Sequence, residues 1–456
     1  MLSRFELPQV WWMMLLIFVS MQSCSAFRSK KVRNAQNIQR EIRESKVFAR
    51  AFSGFTLMDA QTGKTLASVN DQHLFTPASN AKILTLAACL EYLGDTLPGI
   101  KVAHTTDQQW IVRGTGDPTF LHPEYQAWQQ PFQWLKDQQA PIILERQLVP
   151  RFGSGWAWDD YVHEYSAERS DFPIYGNVVT FEKRDDQWRS TPNISGLFPY
   201  EPGNELYPNT SGIYRLEHIP YYFLSLPDSA YATGFIDKVP FPEMTGEEGL
   251  LARFLPDTMG KRFAHFCFRN FPGSCETELD GPWQTIHSAP LDTVLRHMMH
   301  ESNNLLAEQL LLICADQRFD QLKEELVIQD MLGNSLANVN PVPRWVDGSG
   351  LSRYNLISPG GLALVLRRMW QTQPQDKLFF YFPAPGGTGT LKDWPDNSSW
   401  VGKTGSMSGV MCLSGYLKSK TGKVLIFSFM HNNFAGSNRS LKVEMQRILQ
   451  LIHDLY

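Results

Sequence analysis

Strand and helix signals at the two ends of the chain bracket a long segment of different character, and this constrains the fold more than any other feature of the sequence. Near the start, Asn37–Ala51 reads as a charged amphipathic helix. Phe52–Met58 and Thr65–Val69 read as a hairpin around the turn Asp59–Gly63. Asn80–Leu93 (NAKILTLAACLEYL) has helical periodicity, with Pro77 before it and Gly94 to stop it. Near the end, Gly409–Ser419 and Val424–Phe429 read as strands joined at Lys420-Thr421-Gly422, and a helix follows over Ser440–Leu455. Pro290–His300, Leu305–Cys314 and Pro359–Gln371 are further helices. From about residue 95 to 284 the chain turns rich in Pro, Gly and aromatics, with short strand-like runs at Trp110–Arg113, Ile142–Val149 and Val178–Glu182. This order predicts an α/β domain split in sequence, residues 27–95 and 285–456. Its sheet takes strands from both ends and has helices on its faces, and 96–284 form a β-rich insert of one or two subdomains.

Composition supports a packed protein. Of 456 residues 43% are hydrophobic and 19% charged, enough to build a sizeable core and to exclude wholesale disorder. The net charge is −4 and the only basic cluster is the short Arg28–Arg33 patch, so nucleic acid is excluded as a partner. Residues 1–26 stand outside the fold. Val10–Val19 is an unbroken apolar run, too short to span a bilayer but suited to the core of an export signal. Two processing readings stand side by side: cleavage after Ala26, or a lipobox-like string ending at Cys24, whose acylation would leave a membrane-anchored lipoprotein. Either predicts an exported protein. Cys89 and Cys314 fall in helical apolar patterns and read as buried and inert. Cys267 and Cys275 are spaced to close a small disulfide loop in an oxidising compartment.

Three short motifs carry chemistry. Ser79-Asn80-Ala81-Lys82 is the only Ser-x-x-Lys of the chain, and residues three apart on a helix share a face, so hydroxyl and amine can meet. A lysine whose pKa falls can take the proton of a serine and make it a nucleophile. At a helix start, the free N–H groups favour a developing oxyanion. Ser302-Asn303-Asn304 lies between two helices and can present a hydroxyl and an amide to a cleft. Lys403-Thr404-Gly405, with Ser406 after it, can hold a carboxylate, and Gly405 would leave room for a substrate against the strand. Alone, each reads as readily as a cap, a turn or a surface strand. A second Lys-Thr-Gly at 420–422 reads as a hairpin turn.

Together and in this order, the three motifs are the signature of penicillin-binding proteins and class A β-lactamases. The strings Phe75–Thr85, Arg113–Thr119, Gly155–Asp160, Glu301–Gln309, Asp347–Asn355 and Gly402–Tyr416 carry a closer resemblance. Over about residues 45–456 the chain resembles the low-molecular-mass penicillin-binding proteins of the DacB-like peptidase S13 family, the D-Ala-D-Ala carboxypeptidases and endopeptidases. The resemblance implies a serine β-lactamase/DD-peptidase-like domain interrupted by a large insert. It implies hydrolysis of peptidoglycan stem peptides with no metal or organic cofactor, and covalent inhibition by β-lactams. In these terms Ser79 is the acylated nucleophile, Lys82 its base and Ser302 a proton relay to the leaving amine. Asn304 would bind the substrate amide and steady Lys82. Lys403, Thr404 and Ser406 would bind the terminal carboxylate, Lys403 would also depress Lys82, and the N–H groups of Ser79 and Ser406 would form the oxyanion hole. Arg353 would lie near the site. The family's acidic residue for the amine of the stem peptide falls in Val149–Ser154, where this chain has none; Asp159 and Asp160 follow shortly after. Two other readings remain at this level, a β-lactamase and a non-catalytic cell-wall binding lipoprotein on the same fold.

Overall fold

A computed structural model describes residues 32–194, 197–199, 212–217, 219–241, 250–271 and 273–456. The export segment and Cys24 lie outside the described residues. A five-stranded antiparallel sheet organises the two chain ends. Its strands are β1 (Phe52–Asp59), β2 (Thr65–Val69), β3 (Trp400–Met407), β4 (Val410–Lys418) and β5 (Val424–Asn432), in the order β3–β4–β5–β1–β2. Phe55 of β1 stands opposite Phe429 of β5, so the first and last strands of the chain are partners at the centre of the sheet.

The alternation of side chains along these strands explains why the sheet is covered on both faces. Phe55, Leu57, Met411, Leu413, Leu425, Phe427 and Phe429 point to one face. They pack there against α1 (residues 32–44) and α6 (Arg439–Leu455), which contribute Ile38, Ile42, Met445, Ile448 and Ile452. Met58, Cys412, Ile426 and Met430 point to the other face, toward α2 (Lys82–Tyr92), α3 (Leu291–His300), α4 (Asn304–Phe319) and α5 (Pro359–Thr372). Each large side chain so buried contributes about 1.5–3 kcal/mol. α2 is buried from Lys82 to Cys89, so it runs through the interior rather than along a surface. Cys89 and Cys314 are buried on facing helices, their sulfurs 3.9 Å apart.

The helix predicted over Asn37–Ala51 ends early, at residue 44. The Ser45 hydroxyl accepts from Phe48 N and opens a separate turn, Phe48–Arg50, which turns Phe48 inward against the ring of His431. Burial of that ring outweighs one more helical turn. Among the described residues, 96–290 build three further sheets. One has five strands, ordered His265–Phe268, Ile142–Arg146, Trp110–Gly114, Thr96–His104 and Gln284–Pro290. The others have three strands each, around Val178–Arg184 and Ile219–Leu224. The strand predicted to reach Val149 stops at Arg146, whose buried guanidinium turns to the Asp171 carboxylate. Cys267 and Cys275 are disulfide-bonded. Among the described residues, no helix is long and apolar enough to cross a membrane.

Candidate active site

Ser79 lies in a 3-10 turn, Ala78–Ala81, that runs directly into α2, rather than at the start of the α-helix itself. In such a turn, residues three apart stand one above the other. Lys82 Nζ consequently lies 3.1 Å from Ser79 Oγ. Ala78 adopts a left-handed conformation (φ 46°), a strained state for a residue with a side chain, costing about 1–3 kcal/mol. Ser302 adopts it too (φ 59°), between the end of α3 and Asn303, which caps α4 by accepting from Leu306 N. Two backbone reversals therefore aim the two serines.

Lys82 is wholly buried and has three partners. Besides Ser79, its Nζ donates to Asn304 Oδ1 at 2.6 Å and to the Ser349 carbonyl at 2.7 Å. Two of the three accept only, and the third is a hydroxyl. An ammonium donates to all three, whereas a neutral amine gives its two hydrogens to Asn304 and Ser349 and turns its lone pair to the Ser79 hydroxyl. Burial holds the Lys82 amine down at about 7, against the opposing pull of Asp347 and Glu308.

Lys403 is also fully buried, on β3. Its Nζ donates to Ser302 Oγ at 2.8 Å and to the Thr404 carbonyl at 2.9 Å. Burial first, and then the neighbouring Lys82, push it well below the ordinary lysine range. For Lys82 burial is the largest cause of the depression, and within the pair it is Lys82 that lowers Lys403.

The role expected for Gly405 also changes. A Cβ there would stand 2.4 Å from the Pro77 carbonyl, 2.9 Å from Asn80 N and 3.1 Å from Ser79 N. The glycine makes room for the turn that carries Ser79, and so brings the backbones of β3 and the serine together. The Thr404 hydroxyl donates to Thr390 Oγ1 at 2.8 Å. Ser406 is exposed at the cleft and accepts from Asn438 Nδ2. Arg353 reaches across to donate to the Ser408 carbonyl at 2.9 Å.

Above Ser79 opens a cleft of about 730 Å³, lined by Ser302, Asn304, Arg353 and Ser406 among others. Its far wall comes from residues 155–165, including Asp159, Asp160 and Tyr165. Val149–Ser154 lacks a carboxylate, but the cleft does not. The wall is tied to the motif residues at two points. Asn304 Nδ2 donates to the Tyr165 carbonyl at 2.9 Å, and Trp156 Nε1 donates to Asp347 Oδ2 at 3.0 Å.

Asp347 and Glu308 were not marked by the sequence reading. Asp347 is wholly buried and also accepts from Gly350 N, Ser352 N and Asn355 Nδ2. An Asp just before Gly-Ser-Gly is the one available signal, since such a carboxylate accepts from the N–H groups that follow it in a turn. Glu308 sits in the apolar run of α4, where nothing local distinguishes it.

A serine and two desolvated lysines at the foot of an open cleft, on a sheet covered by helices, define a serine hydrolase with the β-lactamase/DD-peptidase-like fold. The family model of the D-Ala-D-Ala carboxypeptidase 3 (S13) family matches residues 34–198 and 280–453, and the chain belongs to that family. D-alanyl-D-alanine carboxypeptidase DacB of Haemophilus influenzae is 27% identical over 470 residues, covering 88% of this chain and 90% of that protein. Penicillin-sensitive carboxypeptidase A of Dictyostelium discoideum is 23% identical over 445 residues, covering 84% and 83%. The crystal structure of penicillin binding protein 4 (dacB) from Haemophilus influenzae superposes with a TM-score of 0.69 at 18% identity, covering 92% of this chain and 99% of that one. The same protein complexed with a β-lactam gives 0.61 at 19% identity, covering 93% and 98%. These solved structures show the shared fold.

Proposed function

We propose that the chain hydrolyses the D-Ala-D-Ala bond, or the equivalent cross-link bond, of peptidoglycan stem peptides through an acyl-enzyme on Ser79. The observation that carries the reading is the partner set of Lys82: two obligate acceptors and the Ser79 hydroxyl. In its neutral form the amine is oriented to take one proton, that of Ser79. Ser79 Oγ then bonds to the substrate carbonyl carbon, and Lys82 holds the proton. The C–N bond breaks, and the leaving amine of D-Ala receives its proton by way of Ser302 Oγ. Water, deprotonated by Lys82, then releases the stem peptide as a carboxylate and restores Ser79.

Lys403, Ser406 and Thr404 form the carboxylate end of the site. An arriving carboxylate favours the protonated form of Lys403, which burial disfavours. Asn304 keeps a second amide hydrogen for the substrate while Lys82 and Tyr165 occupy its other sites. The N–H groups of Ser79 and Ser406 serve as the oxyanion hole, a placement supported by the close approach of Gly405 to the Ser79 turn. Gly405 thus acts through the backbone, and Arg353 supports the rim. β-Lactams present a reactive amide in the same pose and acylate Ser79.

Residues 27–95 and 285–456 act as the catalytic domain and 96–284 as the insert that supplies the cleft wall. The protein works outside the cytoplasm, as a periplasmic enzyme or a lipoprotein anchored at Cys24. The disulfide at Cys267 and Cys275 fits an oxidising compartment, and the mass of the mature N-terminus tests the anchor. Purified muropeptides test the activity. Release of D-Ala or of un-cross-linked stems is expected, and binding without release would sink the proposal. Labelled penicillin is expected on Ser79 and absent from Ser79→Ala. Rapid turnover of a chromogenic β-lactam would favour the β-lactamase reading.

A further inference from the structure

Beneath Lys82, two consecutive peptide units of the 347–350 turn lie between α2 and a pair of buried carboxyls. In the first, the Gly348 carbonyl accepts from Thr85 Oγ1 at 2.6 Å and Ser349 N–H donates to Glu308 Oε1 at 2.7 Å. In the second, the Ser349 carbonyl accepts from Lys82 Nζ and Gly350 N–H donates to Asp347 Oδ1 at 2.8 Å. Each unit has its carbonyl on α2 and its N–H on a carboxyl. The turn is packed closely against α4 and the Ser79 turn at both of its glycines. A Cβ at Gly348 would stand 2.4 Å from the Ala307 carbonyl, and one at Gly350 1.9 Å from the Ala78 carbonyl.

Glu308 lies one turn beyond Asn304 on α4, on the same side of the helix. It is almost completely buried, and its Oε2 has no hydrogen-bond partner among the described residues. The nearest cation is Arg169, whose Nη1 is 3.6 Å away and which also pairs with Glu324. Asp347 and Glu324 are the other carboxyls acting on Glu308, and Lys82 and Lys403 are the cations on the Ser79 side. A buried carboxyl with one oxygen unsatisfied is costly unless it has a task.

We propose that Glu308 is a positioning residue for the Ser79 reaction: it clamps the Ser349 peptide beneath Lys82, and the negative charge it gains or sheds sets how readily Lys82 becomes the neutral base. The inference rests on the reading of Lys82 as that base. Burial and the Asp347 charge raise Glu308 to about 7, the range in which Lys82 itself titrates. A charged Glu308 favours the Lys82 ammonium, and a protonated Glu308 releases it.

The test is the pH dependence of Ser79 acylation by labelled penicillin. Glu308→Gln keeps an acceptor for Ser349 N–H but removes the charge. The limb on which acylation rises with pH is expected to move to lower pH by about half a unit or more. A limb that stays in place, with Ser79 still acylated, overturns the role of Glu308 and leaves the reading of the site standing. A parent protein that is not acylated at Ser79 overturns both. Should Glu308→Gln not fold, Glu308→Asp carries the test. The charge remains but no longer reaches Ser349, so the plateau falls by about tenfold with the limb in place, and a plateau equal to the parent's overturns the clamp.

Discussion

The amine of Lys403 on β3 lies 2.8 Å from the hydroxyl of Ser302, in the loop between α3 and α4. This one bond joins the sheet to the helical layer at the mouth of the cleft and places a chargeable group beside the path of the leaving amine. Lys403→Met removes both the hydrogen bond and the charge. Acylation by labelled penicillin and kcat/KM for a stem peptide should fall by about 10²-fold or more. A loss below about threefold would take Lys403 out of the chemistry.

The acid limb of activity belongs to Lys82. The base must be neutral, and its amine is held down at about 7, so kcat/KM should rise with pH through about 7 and then level. A limb near the ordinary lysine value would place the base elsewhere.

The same depression is a stability statement. Between about 7 and the ordinary value of 10.5 the unfolded chain binds more protons at this lysine than the folded one, so its contribution to stability rises with pH there. Below about 7 the full cost of burying the ammonium is present. Lys82→Met should therefore be inactive yet melt above the parent at pH 6, with the gap narrowing towards pH 10. Thermal unfolding at the two pH values reads this directly, and a constant gap would contradict it.

Gly405→Ala should disable the enzyme by crowding the backbone of the Ser79 turn. The three atoms nearest the new methyl are backbone atoms of Pro77, Ser79 and Asn80, so either β3 or the Ser79 turn must move. A displacement near 1 Å costs about 10²-fold in acylation, with a stability loss of about 1–3 kcal/mol. Acylation rate and urea unfolding together check it.

Asp347→Ala leaves four donors without their acceptor: Trp156 Nε1, Gly350 N, Ser352 N and Asn355 Nδ2. At about 1–3 kcal/mol for each unsatisfied buried group, the loss should exceed about 3 kcal/mol and show as a lowered midpoint in urea.

Much of this was legible in the sequence, because it rests on local patterns. The apolar runs at Gly409–Ser419 and Val424–Phe429 mark strands that bury both faces, and the spacing of Ser79 and Lys82 survives the change from α-helix to 3-10 turn. What depends on contacts across the chain was not legible. Asp347 gathers donors from as far away as Trp156, and Glu308 resembles any glutamate on a helix until Ser349 is laid against it. The function of Gly405 was misread for the same reason: its neighbours come from residues 77–80 rather than from a substrate. The early end of the first helix was likewise decided by a distant ring, that of His431.

The pairing of β1 with β5 has a consequence for how the molecule is born. The strand that opens the catalytic half waits for its partner until almost the whole polymer has been made, since Phe55 meets Phe429. Such long-range closure is slow. Residues 52–69 can pair as a hairpin early, but β5 and the amine of Lys403 reach them only near the end of synthesis. A truncated product would carry the nucleophile but no pocket to arm it, so the chain is chemically silent until it is finished.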